Sequence, residues 1–252
     1  MKKILMRRLS DGRAHIPLAG DARRLSVVQG VTIAIAAGLV LIVAVADDLG
    51  IRLLFGAFSL LLVAIAAYVG CLRRLLETGV VRIDTRGPGL RFRPPVWPTA
   101  FLVAILLLLA LPAVAVVVIG DAGEALSPRR SPLLLPVFSA ICLAVMIWRL
   151  RVPAGLRLTV DGIRGIRARG DLAWSWDEVG EVGVDGPPAA LTLTMKDGYV
   201  PVTASMRYLG SDPNQVAAIV RFFRDHPEER AILARGGQAA LDRAADALRP
   251  LD

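Results

Sequence analysis

His15 and His226 are the only imidazoles in this 252-residue chain, and Cys71 and Cys142 the only thiols. No spacing among them suits a zinc ion, and neither a Gly-x-Ser-x-Gly elbow nor a phosphate loop closing on Gly-Lys-Ser/Thr occurs. His226 stands before Pro227 and reads as a helix-end residue. Two cysteines inside or beside apolar runs make no disulfide framework. Cys71, before Leu72-Arg73-Arg74, reads as a small apolar residue ending a helix rather than as an acylation site. Asp47 and Asp48 are adjacent carboxylates with the chemistry to bind a cation, but such a pair more simply ends one helix and solvates a turn. The chain is therefore read as a non-enzyme, with no catalytic, cofactor-binding or metal-binding residue assigned and no cofactor expected.

The remaining binding chemistry is cationic. Arg167 and Arg169 fall on the same side of an expected strand with Arg164 nearby, and these three are the candidate contacts for anionic lipid headgroups or for a partner. Close to a membrane each is worth about 1 kcal/mol. A solvated strand face is the competing account of the same spacing. Trp174 and Trp176 alternate with Leu172 and read as core rather than as a peptide-binding ledge.

The elements that must position these residues fall into two physical regimes. Hydrophobic residues make up 55% of the chain and the mean hydropathy is +0.57, more apolar than a soluble domain needs. Most of that content lies before Arg149, in four runs: Val27 to Ala46, Ile51 to Gly70, Thr99 to Gly120, and Leu133 to Trp148. The first three each reach about 30 Å as helices, the thickness of a hydrocarbon core. None carries a charge in its middle, and none shows the polar stripe of a surface helix. Four transmembrane helices in two hairpins are expected, with Pro112 kinking the third.

Basic residues set the expected orientation. Met1 to Ser26 holds seven, Cys71 to Pro98 six, and Arg149 to the end fourteen, leaving Arg52, Arg129 and Arg130 for the opposite face. By the positive-inside rule both termini are cytoplasmic and the protein is multi-pass in the cell inner (plasma) membrane. Tyr68, Trp97 and Trp148 fall at the cytoplasmic ends of spans, where amphipathic rings are favoured. The net charge of +8 is thereby accounted for, and no nucleic-acid partner is expected. Residues Met1 to Arg8 lack the apolar core of a cleaved signal peptide.

After Pro153 the period changes. Leu156, Leu158 and Val160 alternate with Arg157 and Thr159, and Asp161-Gly162 turns the chain back through Ile163 to Arg169. Trp174 belongs to a third strand and Val179 to Val184 to a fourth. Leu191 to Lys196, turned by Asp197-Gly198, pairs with Tyr199 to Ala204. Asp212-Pro213-Asn214-Gln215 is a helix start, and Val216, Ile219, Val220 and Phe223 repeat at helical spacing. Asp225-His226-Pro227 ends this helix and opens another with Glu228 and Glu229 in its first turn, and Gln238 to Leu248 is a weaker, alanine-rich helix.

The Trp-Asp-Glu-Val element at Trp176 to Val179, the Lys196-Asp197-Gly198 turn, and the capped helix from Leu209-Gly210-Ser211-Asp212-Pro213 to His226-Pro227-Glu228 resemble the bacterial PH-like domains attached to membrane spans, particularly in actinobacterial proteins. The resemblance covers about Leu156 to Leu233. It implies a PH-like antiparallel β-barrel of about seven strands with a C-terminal helix, an α+β cytoplasmic domain beside the membrane all-α part, and an interaction role. Val80 to Asp84 and Leu90 to Arg93 also alternate as a hairpin, which either adds strands to the domain, pairs with another copy, or stays an ordered interfacial loop.

The expected organisation is a basic N-terminal segment (1–26), transmembrane hairpin 1 (27–70), a cytoplasmic loop (71–98), transmembrane hairpin 2 (99–150), the PH-like domain (151–235) and a helical tail (236–252). The function expected is that of a membrane-anchored, non-catalytic adaptor or regulatory protein. Its partners would be the lipid bilayer and an unidentified protein or its own copies. A transport or membrane-enzyme accessory subunit is the alternative. It would call for intramembrane ionisable groups, and the four runs supply none. Anionic headgroup binding by the domain is the third reading.

Overall fold

The computed structural model describes residues 2–5, 18–76, 78–85, 87–109, 111, 134–150, 155–165, 173–186, 189–197 and 202–249. The chain passes back and forth between two compact units. One comprises Arg23–Arg73 and Val96–Arg151, the other Met1–Ala22, Arg74–Pro95 and Val152–Asp252.

The helical unit contains α1 (Ala19–Val45), α2 (Leu49–Leu75), α3 (Trp97–Leu108) and α4 (Leu134–Leu150). Both α1 and α2 are long and apolar enough to cross a membrane, and only 11% and 22% of their most apolar stretches are buried within the protein. A core helix of a soluble protein would bury most of such a surface. Among the described residues α3 and α4 are shorter apolar helices; residues 112–133, with Pro112, lie outside the description.

Polar side chains tie these helices to one another. Gln29 Nε2 donates to Ala66 O and Ser59 Oγ to Ala36 O, each at 3.3 Å, linking α1 to α2. Ser139 Oγ donates to Leu106 O between α4 and α3. Asp48 caps α2, its Oδ1 accepting the Ile51 amide at 2.8 Å, so this carboxylate satisfies a helix end.

The second unit is built on antiparallel sheets. Strands β1 (Lys2–Leu5), β2 (Val80–Asp84), β3 (Leu90–Phe92), β4 (Leu156–Leu158), β5 (Gly162–Arg164) and β6 (Ala173–Ser175) form one sheet in that spatial order. Strands β7 (Val179–Asp185), β8 (Ala190–Met195) and β9 (Val202–Ser205) form the other. The expected hairpin in the 71–98 loop is therefore part of this domain, with Leu90 opposite Leu158 and Phe92 opposite Leu156. Gly155 makes that junction possible: its φ is +106° and a Cβ there would lie 2.0 Å from Phe92 O.

One core joins both sheets and the helices over them. Val81, Ile83, Leu90, Phe92, Leu156, Leu158 and Ile163 of the larger sheet bury with Val182, Leu191 and Leu193 of the smaller. After the short α5 (Met206–Leu209), helix α6 (Pro213–Asp225) contributes Val216, Ile219, Val220 and Phe223. The second expected helix is a 3-10 segment, Pro227–Arg235, and α7 (Gly237–Ala247) follows. Ala240, Leu241 and Ala244 of α7 are fully buried in the same core, so the alanine-rich helix is a packed element of this unit.

The 71–98 loop is also stitched to the start of α6. The buried Arg82 donates through Nη1 to Gly210 O at 2.7 Å and through Nη2 to Arg74 O at 2.9 Å. Its backbone amide donates to Ser211 Oγ at 2.9 Å. Gly210 has φ +66°, and a Cβ there would meet Pro94 Cα at 2.4 Å.

Candidate interaction surface

Period-two alternation decides which side chains of β3, β4 and β5 face solvent. Leu90, Phe92, Leu156, Leu158 and Ile163 point into the core, so the residues between them point outward. These are the half-buried Arg91 and Arg157, with the exposed Arg164 next to Ile163, and the register sets them side by side: Arg91 opposite Arg157, and Arg157 opposite Arg164. Directly opposed residues have Cβ atoms about 4.5–5.5 Å apart, close enough for like charges to repel.

The row is flanked by Asp84, opposite Arg91, and by Ala173, opposite Arg164. Asp84 is buried and lies 3.6 Å from Arg93 in an ion pair. Arg157 donates from Nε at 3.1 Å and Nη2 at 2.7 Å to Pro88 O, a neutral acceptor that leaves its charge uncompensated. Arg91 and Arg164 have no side-chain partner among the described residues. Of the three arginines singled out from sequence, Arg164 is in this row, while Arg167 and Arg169 lie outside the described residues. Arg91 and Arg157 escape a local reading because their strands are separated by the second apolar stretch.

The other residues with chemical potential are spent on structure. Trp174 sits opposite Ile163, half-buried against the core. Trp176 is buried just past β6, donates from Nε1 to Thr159 O at 2.9 Å, and carries the Arg230 guanidinium 5.1 Å from its ring centre. His226 caps α6, its ring stacked on Phe222 at 4.9 Å with Nδ1 2.9 Å from Phe222 O. Glu229 accepts from Arg243 Nε at 2.9 Å. That hydrogen bond, with the guanidinium's charge, holds the Glu229 carboxyl below the ordinary carboxylate value and raises Arg243.

Cys71 and Cys142 are free thiols, both half-buried, and His15 lies outside the described residues. No cluster of three or more metal-ligating side chains occurs among the described residues. In the helical unit a shallow, almost wholly apolar groove runs between α1 and α2, lined by Ile33, Ala36, Ala37, Ser59, Val63 and Ala66. Its polar side chains, Gln29 and Ser59, are the ones bonded to Ala66 O and Ala36 O.

No protein-family model matches this chain, and no curated protein or solved structure matches it either.

Proposed function

We propose that this chain is a membrane-anchored, non-catalytic interaction protein. Its helices form four spans in two hairpins, and its sheet-rich unit is a PH-like domain held at the cytoplasmic face of the inner membrane. There it engages a protein partner or its own copies in an adaptor or regulatory role. Helices α1 and α2 support the anchoring, since their apolar surfaces are left uncovered by the rest of the protein.

The observation that carries this reading is the composition of the larger sheet. Strands β1, β2–β3 and β4–β6 come from three segments separated by the two apolar stretches, yet they pair in one sheet. Strands that pair must share one side of a bilayer, so each stretch between them must leave and return. The arginine asymmetry favours the cytoplasmic side. Two antiparallel sheets sharing a core under a helix are compatible with a PH-like barrel.

The test combines topology with capture. In intact cells of a Cys71→Ala, Cys142→Ala background, a cysteine introduced at Asp47 is expected to react with a membrane-impermeant maleimide, and one at Ala173 only after permeabilisation. Cross-linking of the tagged full chain in native membranes is then expected to trap one dominant protein species or a defined homo-oligomer. Labelling of both positions from the same side, or a chain that cross-links to nothing, would sink the reading.

A further inference from the structure

We infer that β9 is a contact between copies of this chain: its open edge pairs antiparallel with β9 of a second copy, joining two three-stranded sheets into one of six strands. This deepens the proposed reading, in which the chain engages its own copies, and rests on it. A sheet edge presents backbone N–H and C=O groups that template pairing with another chain unless something blunts them. Among the described residues the two sheets end on four edges, β1, β6, β7 and β9. Three of these are blunted. Strand β1 carries Lys2 and Lys3. Strand β6 has three residues, and its Ser175 amide already donates to Glu178 at 2.7 Å. Strand β7 is bulged between Val179 and Val182, and its Gly180 and Val182 carbonyls accept from Arg224 at 2.6 Å and Arg221 at 2.8 Å.

Strand β9 has none of these devices. Val202-Thr203-Ala204-Ser205 holds no charge and no proline, and it pairs with β8 in unbroken register. Its own symmetry selects the occupant. An antiparallel two-fold axis through Thr203 sets this residue opposite its counterpart, and Val202 opposite Ala204 of the second copy. Val202 and Ala204 are buried on the core side and Thr203 is exposed on the other, so the joined strands keep the alternation of the sheet. The Thr203 hydroxyl has no partner among the described residues, and a threonine directly across supplies one. Pairing through β1 would instead bring the lysines of both copies into one contact. A strand this short supplies only a few ladder bonds. The contact therefore suits chains that share one membrane, where confinement raises their effective concentration.

The test uses the full chain in native membranes. In a Cys71→Ala, Cys142→Ala background, Thr203→Cys is expected to give a disulfide-linked dimer on mild oxidation, while Ala173→Cys on β6 stays monomeric. Two differently tagged copies expressed together should co-purify. Thr203→Lys in both copies, or Thr203→Glu in both, puts like charges across the axis and should lower that recovery roughly tenfold or more. Lys in one copy with Glu in the other should restore it, which also certifies that both variants fold. Recovery untouched by either charge, or no rescue in the mixed pair, overturns the proposal. Thr203→Cys that joins a different protein reassigns the edge to a foreign strand and overturns it as well. Alkaline carbonate extraction separates the two levels: a chain released as soluble protein yet rescued by the mixed pair removes the anchoring and keeps the strand contact, whereas a chain retained in the membrane without a β9 dimer removes the contact alone.

Discussion

The carboxylate of Asp212 accepts the backbone amide of Gly79 at 2.8 Å, joining positions 133 residues apart in the chain. The same side chain caps α6, accepting from the Asn214 amide at 3.0 Å, and it is fully buried. One residue thus starts the helix that closes the core and fastens to it the loop between the two apolar stretches. Asp212→Ala is expected to cost about 2–4 kcal/mol, a lost cap plus a stranded buried amide. Asp212→Asn, which keeps an acceptor for the cap, should cost less. Thermal unfolding of the full chain in detergent measures both, and equal midpoints for wild type and Asp212→Ala would remove the fastening role.

Residues 151–252 alone should fail to fold cooperatively. Without the loop, β4 loses its partner strand, and the fully buried Val81, Ile83, Leu90 and Phe92 leave the core. Each such side chain is worth about 1.5–3 kcal/mol, so together they exceed the margin of a small domain. Near-ultraviolet circular dichroism and dye binding would report a loosely packed chain. A cooperative melt of the fragment with native-like aromatic signals would contradict the composite core.

Removing like charge from the arginine row should not weaken the fold. Arg164→Gln is expected to leave stability unchanged or raise it by roughly 0.2–1 kcal/mol, through relief of the repulsion with Arg157. Denaturant midpoints at low and high salt would detect this, with the gain fading as salt screens it. A clear destabilisation would mean that Arg164 has a structural partner.

Glu229 and Arg243 give a pH dependence of definite sign. The Glu229 carboxyl is held below the ordinary value of 4.5, first by its hydrogen bond from Arg243 and then by that residue's charge. A depressed carboxyl stabilises the fold above its unfolded-state pKa, and that contribution disappears as pH falls through the lower folded value. Wild type should therefore melt above Glu229→Gln at pH 7, and the two should converge in acid below that folded value. The pair is accessible to solvent, so the difference is expected to be small and salt-sensitive. A gap that widens in acid would reverse the assignment.

Gly210→Ala should destabilise by about 1–3 kcal/mol, since it forces a side chain into φ +66° and onto Pro94. Thermal unfolding reads the loss, and a neutral effect would show that the loop at Pro94 gives way.

What could be read from sequence followed the range of the interactions. The Leu156–Ile163 hairpin, the Asp212 cap and the apolar stripe of α6 depend on neighbours a few positions away, and each is found near its expected place. The expected strand through Arg169 is described only as Gly162–Arg164, and the residues beyond Gly165 lie outside the described set. Pro227 begins a 3-10 segment where a second helix was expected. The alanines of α7 read as weak amphipathicity, although their small size is what permits close approach in the core. The arginine row was illegible for a different reason. Period-two alternation shows that Arg91 and Arg157 face outward from their own strands, but only the long-range register makes them neighbours.

The interleaving of strands and apolar stretches also imposes an order in time. A ribosome delivers β2 and β3 before the second apolar stretch, and β4 only after it. At about 5–20 residues per second, the open edge of β3 waits several seconds for its partner. During that interval the hairpin has an unpaired edge and an uncovered apolar face, and the whole second apolar stretch must leave the ribosome before the sheet can close. The domain thereby acts as a clasp that shuts only once the second apolar stretch has been made, and ribosome-stalled chains ending before Leu156 should be cut by protease within 80–92 while completed chains resist.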